Sequence, residues 1–171
     1  MRKTIVQVMS GGAVLAALAT PAMAQNSATA TAAGAVTLIQ PISITKSTDL
    51  GFGSIIRPAA GSATVTVSNA GVRTIVGSVA ANATGVSRAL FNVFGEGASV
   101  FSISVPGSFS MTSGAQSLVV TTNSAASSLT LSGSAGSQGS NSFGVGGSFV
   151  LSSTTSTGAY TGNFVVTVSY N

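Results

Sequence analysis

The sequence predicts an all-β protein built as a two-layer antiparallel sandwich. Apolar residues alternate with polar ones in many short segments, which is the pattern of strands with one buried face. These segments recur about every 8–15 residues, with Gly, Ser and Asn between them, as in sandwiches and barrels. Ser, Thr, Ala, Gly and Val dominate the 171 residues, whereas Leu, Glu and Lys are few, which favours strands and turns over helices.

The N-terminus has the composition of a secretory signal peptide. Two cations, Arg2 and Lys3, precede an uncharged and mostly apolar stretch. Ala22 and Ala24 supply the small residues of a cleavage site, so we expect residues 1–24 to be removed after Ala24. The pattern predicts export to the periplasm, the cell surface or the medium. No second apolar run of membrane-spanning length follows, so no integral membrane span is expected in the mature chain.

A small-residue extension, residues 25–35, precedes a single domain expected over residues 36–171. In an extended conformation, alternate residues of the extension point to one side. Small apolar side chains on that side suit insertion into a narrow groove of another copy by β-strand addition. The same residues also fit a flexible leader or the first strand of the chain's own sheet. The candidate assembly-strand residues are Ala28, Ala30, Ala32, Gly34 and Val36.

The predicted strands follow one another along the whole domain. Pro41 interrupts the first strand, which indicates an edge position or a switch between sheets. Gly144, Gly146 and Gly147 are expected to permit a bulge or close packing of sheets. The Ser- and Gly-rich residues 132–142 predict a flexible loop. The predicted strands lie within residues 36–44, 63–67, 91–93, 101–105, 118–120, 129–131, 143–151 and 160–170.

The apolar faces of these strands predict the core. Phe52 stands between Gly51 and Gly53, where we expect it to enter the core as the backbone bends. Period-two alternation selects the other members, since one face of each strand must be buried in a sandwich. The residues expected to be buried are Phe52, Val65, Val67, Phe91, Val93, Phe101, Ile103, Val105, Val120, Leu131, Phe149, Phe164, Val166 and Val168.

The composition leaves few chemical functions open. Without Cys or His, the chain lacks the usual ligands of zinc, haem and iron–sulfur centres and the base of Ser–His and Cys–His pairs. Its two acids, Asp49 and Glu96, are expected on the surface rather than in a calcium site. Ser43 and Lys46 match a Ser-x-x-Lys motif, for which chance is the expected origin in a Ser-rich chain. We therefore predict no catalytic residue, no metal and no cofactor.

The basic residues do not predict nucleic-acid binding. The isoelectric point of about 10.4 reflects the scarcity of acids. A nucleic-acid surface needs clustered cations. The cations expected in the mature chain are spread along the sequence and are Lys46, Arg57, Arg73 and Arg88.

Two segments carry a family resemblance. Residues 36–55 read VTLIQPISITKSTDLGFGSI and residues 157–170 read TGAYTGNFVVTVSY. The pair resembles the opening and the close of a bacterial family of exported proteins, domain-of-unknown-function family 4402. The two matches bracket nearly the whole expected mature chain. The resemblance implies export and a fold, and it implies no activity.

The C-terminal strand also resembles that of chaperone–usher pilins and of spore-coat-U-like secreted proteins. In pilins this strand alternates apolar residues, has an aromatic residue one place from the end and a Gly fourteen places from the end; here these are Tyr170 and Gly158. The resemblance implies a pilin-like, immunoglobulin-like sandwich whose last strand pairs with a partner strand as a β-zipper. An ordinary core strand that happens to be last fits the same alternation. The candidate zipper residues are Gly158, Tyr160, Phe164, Val166, Val168 and Tyr170.

Two functions are compatible with these observations, and neither is enzymatic. The first is a structural subunit of a fimbrium-like fibre or surface coat, assembled by strand exchange. Its expected partners are other copies of the chain, in a homopolymer, and a periplasmic chaperone and usher. The second is a self-contained secreted binding module, similar to an adhesin, in which no strand is exchanged.

Overall fold

The computed structural model of this protein describes residues 27–171. The predicted signal peptide, residues 1–24, therefore lies outside the described residues. The chain divides into two units, Met1–Val36 and Thr37–Asn171. In the first unit, described residues 27–36 carry no secondary structure and are exposed throughout. The second unit contains every strand that the structure describes.

The described part of the chain is all-β, as predicted, with twelve strands and no helix between residues 27 and 171. All of its strand pairs are antiparallel. Within these residues, the search for a long apolar helix that could cross a membrane finds none. The strands are β1 (Ser43–Thr48), β2 (Gly51–Ile55), β3 (Ser62–Val67), β4 (Arg73–Val76), β5 (Ala81–Ser87), β6 (Ala89–Glu96), β7 (Val100–Ser104), β8 (Ser108–Ser113), β9 (Gln116–Ser124), β10 (Ser128–Thr130), β11 (Gln138–Ser152) and β12 (Thr167–Tyr170).

The strands form a curled main sheet and a smaller sheet that share one core. The main sheet has the order β1-β6-β11-β3-β4, and the β8–β9 hairpin joins it through β11. The smaller sheet has the order β10-β7-β12, and β2 pairs with β5 in a separate ribbon. Phe101 and Ile103 of β7 pack in the same buried cluster as Phe91 and Val93 of β6. The architecture is therefore the antiparallel β-sandwich that the sequence predicts.

Strand β11 is the centre of the main sheet. Its first half pairs with β6, and its second half pairs with both β3 and β9. A Cβ atom on Gly146 would lie 2.1 Å from the carbonyl oxygen of Val67, and one on Gly144 would lie 2.2 Å from that of Asn69. Only glycine allows this approach, so the predicted close packing at these glycines is confirmed.

The loop predicted over residues 132–142 is wrong in its second half. Strand β11 begins at Gln138, and Gln138 is paired with Glu96 at the end of β6. The polar side chains of residues 138–142 suggested a loop, but β6 offers a continuous edge with which their backbone pairs. Backbone pairing of this kind does not depend on an apolar side chain.

The core consists of two apolar clusters. One lies between β6, β7 and the first half of β11, and the other lies between β3, β9 and the second half of β11. Prediction and structure agree on ten of the expected core residues: Phe52, Val65, Val67, Phe91, Val93, Phe101, Ile103, Val120, Leu131 and Phe149. Four others are only half-buried, contrary to prediction: Val105, Phe164, Val166 and Val168. Three of the four lie in the C-terminal segment, which forms an edge of the sandwich.

The first strand also differs from its prediction. The alternation over residues 36–44 predicts a strand, but β1 begins only at Ser43. Val36 and Leu38 are 83% and 87% exposed. Pro41 has no backbone N–H to donate to a ladder, so pairing starts beyond it.

Candidate functional site

The C-terminal segment, residues 153–171, changes sheets along its length. Thr161 forms an isolated antiparallel bridge to Thr112 of β8, with N–O distances of 2.8 and 3.0 Å. Residues 162–166 then carry no strand, and β12 pairs with β7 in the smaller sheet. The segment crosses from the edge of one sheet to the edge of the other, which explains why its middle lacks strand partners among the described residues.

Most of the predicted zipper side chains lie on one side of this segment. The Phe164 ring centroid is 4.9 Å from that of Phe109 and 6.4 Å from that of Phe91. The alternate residues of the segment, Val165, Thr167 and Ser169, are exposed. Val165, for example, is 78% exposed. The zipper residues that pack half-buried on the β6–β7 core are Phe164, Val166, Val168 and Tyr170.

Two free strand edges flank the same part of the core. In the sheets of the described residues, β1 ends the main sheet and β12 ends the smaller one. Ile44 of β1 and Val168 of β12 both pack against the β6–β7 cluster. This side of the sandwich, between β1 and β12, is hereafter the open side. Unpaired backbone at such edges is a template for another strand.

A cavity of about 560 Å³, lined by both apolar and polar residues, lies beside the start of the C-terminal segment. Its wall is built by β2, the β8–β9 hairpin, the end of β11 and the loop after β11. Phe52 and Phe149 meet in this wall edge to face, with ring centroids 4.8 Å apart. Arg57 also lines the cavity, and its Nη1 donates to the carbonyl oxygen of Thr155 at 3.3 Å. Apolar side chains in the lining include Leu50, Phe52, Ile55, Met111, Leu118, Phe149, Leu151 and Tyr160.

The other two predicted zipper residues line this cavity rather than the β6–β7 core. They are Gly158 and Tyr160. The Tyr160 hydroxyl donates to the carbonyl oxygen of Ser156 at 2.8 Å, which fixes the turn that leads into the C-terminal segment. A Cβ atom on Gly158 would lie 2.4 Å from Ser113 Oγ at the end of β8, so a side chain here would need the Ser113 hydroxyl to move aside.

The predicted assembly-strand residues all lie in the first unit. Every one of residues 27–36 is exposed, and a Cβ atom added at Gly34 would meet nothing within 4 Å. Their side chains are therefore accessible, as insertion into another molecule requires. Ala28, Ala30, Ala32, Gly34 and Val36 thus belong to Met1–Val36, whereas the zipper residues belong to Thr37–Asn171.

The position of Glu96 differs from the prediction. The sequence predicts a surface position for this acid, but it is only 4% exposed. Its carboxylate accepts hydrogen bonds from the backbone N–H of Gly136 and, at 3.1 Å, from that of Gln40. Tyr170 Oη accepts from the Glu96 N–H at 2.6 Å and donates to the Gln40 carbonyl oxygen at 2.8 Å. These four residues, Glu96, Gln40, Gly136 and Tyr170, are named the Glu96 latch.

The hydrogen bonds of the latch offset the cost of burying the Glu96 carboxylate. The hydrogen bond from Gly136 and, next, that from Gln40 lower the pKa of Glu96, and they outweigh the opposing effect of burial. Gly95 makes room for the latch, because a Cβ atom there would lie 2.2 Å from Tyr170 Oη. The glycines on both sides of Glu96 are therefore the signal in the sequence that this acid occupies a confined site. Its hydrogen-bond partners Gln40, Gly136 and Tyr170 lie far away in the chain.

The second acid behaves as predicted. Asp49 forms an ion pair with Lys46, and the two side chains are 78% and 54% exposed. Lys46 lies on β1 together with Ser43, the other member of the Ser-x-x-Lys motif. An exposed pair of this kind contributes little to stability, since solvent screens it.

Comparison with known proteins gives one match. A sequence model of the family described as "Domain of unknown function (DUF4402)" matches residues 42–170. Neither a curated protein nor a solved structure matches the chain. The match starts one residue before β1 and ends with the last residue of β12, so it spans all twelve strands.

Proposed function

Because the chain belongs to the DUF4402 family, whose description names no activity, we propose from its own geometry that it is a non-enzymatic structural subunit assembled by strand exchange. Residues 27–36 of one copy, continued by Thr37 and Leu38, enter the apolar groove of the next copy. The groove comprises the open side and the cavity of about 560 Å³ beside the C-terminal segment. The observation that carries the proposal is the half-buried C-terminal segment. It packs apolar side chains on the core, but part of its backbone has no strand partner among the described residues.

The receiving groove has the two properties that strand addition needs. Backbone groups are available along residues 162–166 and along the outer edge of β12, since neither has a strand partner there within residues 27–171. Apolar space is available in the cavity, whose lining includes Phe52, Met111 and Leu118. In β-strand addition, main-chain hydrogen bonds provide affinity and pockets for alternate side chains provide specificity.

The inserted segment has matching properties. Its alternating residues are small up to Gly34 and then become larger at Val36 and Leu38, which are 83% and 87% exposed. Apolar side chains of this size gain about 1.5–3 kcal/mol each when they leave water. Val36 and Leu38 are therefore the residues of the segment that supply most of the hydrophobic free energy, and the alanines fit where the groove is narrow.

The resulting assembly is an open chain of subunits. A contact between the tail of one copy and the groove of another is heterologous, and heterologous contacts that do not close a ring produce filaments. In the same proposal the signal peptide exports the chain to the periplasm, and a chaperone and usher cover the groove until assembly at the cell surface. The fibre or coat is then the extracellular product.

The test is the size of the mature protein, with and without residues 25–35, over a range of concentrations. We expect the intact protein to form assemblies and the shortened protein to stay monomeric with the same β-type circular-dichroism spectrum. Ala32→Arg should act like the deletion, because a charged side chain would have to enter the groove. Ala70→Arg is the matched control: it introduces the same side chain at an exposed position, and it should assemble normally.

A stable monomer at high concentration, unaffected by the deletion, would contradict strand exchange and favour the self-contained binding module. One observation supports that second function: the cavity of about 560 Å³ is in the size range of small-molecule pockets, which is roughly 300–1,000 Å³. In that case the cavity would hold a ligand in the single copy, and ligand would raise the melting temperature of the shortened protein as much as that of the intact one.

A further inference from the structure

We propose that the Glu96 latch is an acid-sensitive anchor for the start of the domain. The carboxylate of Glu96 holds the backbone of Gln40 in place, and protonation of that carboxylate releases it. The latch thereby sets the point at which the N-terminal segment, residues 27–39, leaves the sandwich.

The hydrogen bonds of the latch hold the backbone of one residue, Gln40. Gln40 donates its backbone N–H to Glu96 Oε2 at 3.1 Å and accepts from Tyr170 Oη at 2.8 Å, so both of its backbone groups are held. The partners lie 56 and 130 residues away in the sequence. Tyr170 is itself fixed, because its hydroxyl accepts from the Glu96 N–H at 2.6 Å. The start of the domain is thus tied to the ends of β6 and β12 at once.

Ahead of β1, the described chain is held by the latch and by Ile42, which packs against the β6–β7 cluster. Residues 27–39 are exposed, and strand pairing starts only at Ser43. Among residues 27–42, Gln40 is the residue that forms hydrogen bonds to other described residues. Its two bonds go to Glu96 and Tyr170. Loss of the Glu96 bond therefore removes one of the two hydrogen bonds that hold the backbone of Gln40.

The latch depends on the charged form of Glu96. An ionised carboxylate only accepts hydrogen bonds, and it accepts one from Gly136 and one from Gln40. Such charge-assisted bonds are roughly twice as strong as neutral ones. Protonation turns one oxygen into a hydroxyl, which keeps some acceptor capacity but removes the charge that strengthens both bonds. The bonds from Gly136 and Gln40 therefore weaken, and the two backbone N–H groups are held less tightly.

The sign of the pH effect follows from the lowered pKa of Glu96. Since the folded pKa lies below the ordinary value of about 4.3, the stabilisation is complete above that value and is lost as pH falls through the folded pKa. Other titratable groups around the latch are few. Tyr170 is the other titratable side chain of the latch, and residues 37–42 and 132–137 contain no acid or base.

Acid release would alter assembly. A freed Gln40 moves the point from which residues 27–38 reach the neighbouring copy, so the filament should weaken at the pH at which the latch opens. This consequence rests on the proposed strand exchange, whereas the latch itself is a property of a single copy.

The test is an NMR titration of the isotopically labelled protein shortened to remove residues 25–35, which keeps strand exchange out of the measurement. The backbone amide signals of Gln40 and Gly136 are followed from pH 7 to pH 2. We expect both to shift with one common midpoint below about 4.3, and the hydrogen-exchange protection of Gln40 to fall about tenfold across it, as expected when a charge-assisted bond is lost. Because the chain has two acids, the controls are simple: Asp49→Asn should leave the midpoint unchanged, and Glu96→Gln should abolish the shift.

Three results would overturn the proposal. They are amide signals that do not move, a midpoint that follows Asp49 instead of Glu96, and unchanged protection of Gln40 on acidification. If Glu96→Gln fails to fold, the titration of the unaltered protein and of Asp49→Asn still decides the matter. A filament that assembles equally at both ends of the pH range, with a latch that titrates as expected, would contradict only the link to assembly.

Discussion

The centre of β11 and the C-terminal segment have the same sequence pattern but occupy different positions in the sheets. Phe143, Val145, Phe149 and Leu151 alternate along β11 and are all buried. The corresponding residues of the C-terminal segment, from Phe164 to Tyr170, are only half-buried. Strand β11 pairs with β6, β3 and β9 along its length and has partners on both edges over residues 145–148, whereas β12 pairs only with β7 in the described sheets.

The difference shows what alternation can and cannot predict. It identifies the face of a strand that packs on the core, because that depends only on a period of two residues. It does not reveal how many neighbours the strand has, because neighbours are supplied by distant parts of the chain. When a segment has the alternating apolar pattern of a central strand but lies at the edge of a sheet, we expect another strand to add to it.

The largest loss of stability is expected when Gly146, at the centre of β11, is given a side chain. Gly146→Val would place a Cβ atom 2.1 Å from the Val67 carbonyl oxygen, and backbone cannot move aside cheaply. We expect the domain to lose more than about 5 kcal/mol, which is comparable with the whole stability of a small domain. Circular dichroism and urea unfolding measure this.

Gly107→Val is the control for this substitution. A Cβ atom at Gly107 meets nothing within 4 Å, so a change of less than about 1 kcal/mol is expected. If the two variants were equally stable, the interior of the main sheet would not be packed as described.

The next effect compares two phenylalanines that touch each other. Phe91→Ala removes a buried ring and should cost about 3–5 kcal/mol. Phe164→Ala removes a half-buried ring from the edge, and we expect about 1–2 kcal/mol. Chemical denaturation of both variants provides the comparison. Equal losses would mean that the C-terminal segment is as much a part of the core as β6.

The smallest effect is expected at the exposed ion pair between Lys46 and Asp49. Lys46→Met should change the free energy of unfolding by no more than about 1 kcal/mol, since solvent screens the pair. Unfolding at low and at high salt checks this. A strong dependence on salt that disappears in the variant would show that this edge of the main sheet relies on charge.

The sequence predicted the fold class and most of the core, because both depend on local patterns. Ten expected core residues are buried, and Phe52 enters the core between its two glycines as expected. Three of the four exceptions, such as Phe164, lie in the C-terminal segment at an edge of the sandwich, a position that alternation does not encode. The early start of β11 was missed for the same reason, since β6 supplies its partner.

The burial of Glu96 could not be predicted from local sequence. A lone acid between glycines in a turn normally points to solvent. Here the backbone N–H groups of Gln40 and Gly136, which lie 56 and 40 residues away, make its burial favourable. Within the candidate site, the sequence identified the alternating zipper residues but not the cavity, which is assembled from five separate parts of the chain.

The most direct test of the account is a cross-link between copies. The chain contains no Cys, so thiols introduced at chosen positions are the only ones present. Val36→Cys in one copy and Met111→Cys, at the cavity, in another are mixed under oxidising conditions, with Ala70→Cys replacing Met111→Cys in the control. We predict a disulfide-linked heterodimer of Val36→Cys with Met111→Cys, in large excess over the control. Equal yields with the two partners would contradict the claim that the groove receives the N-terminal segment of another copy.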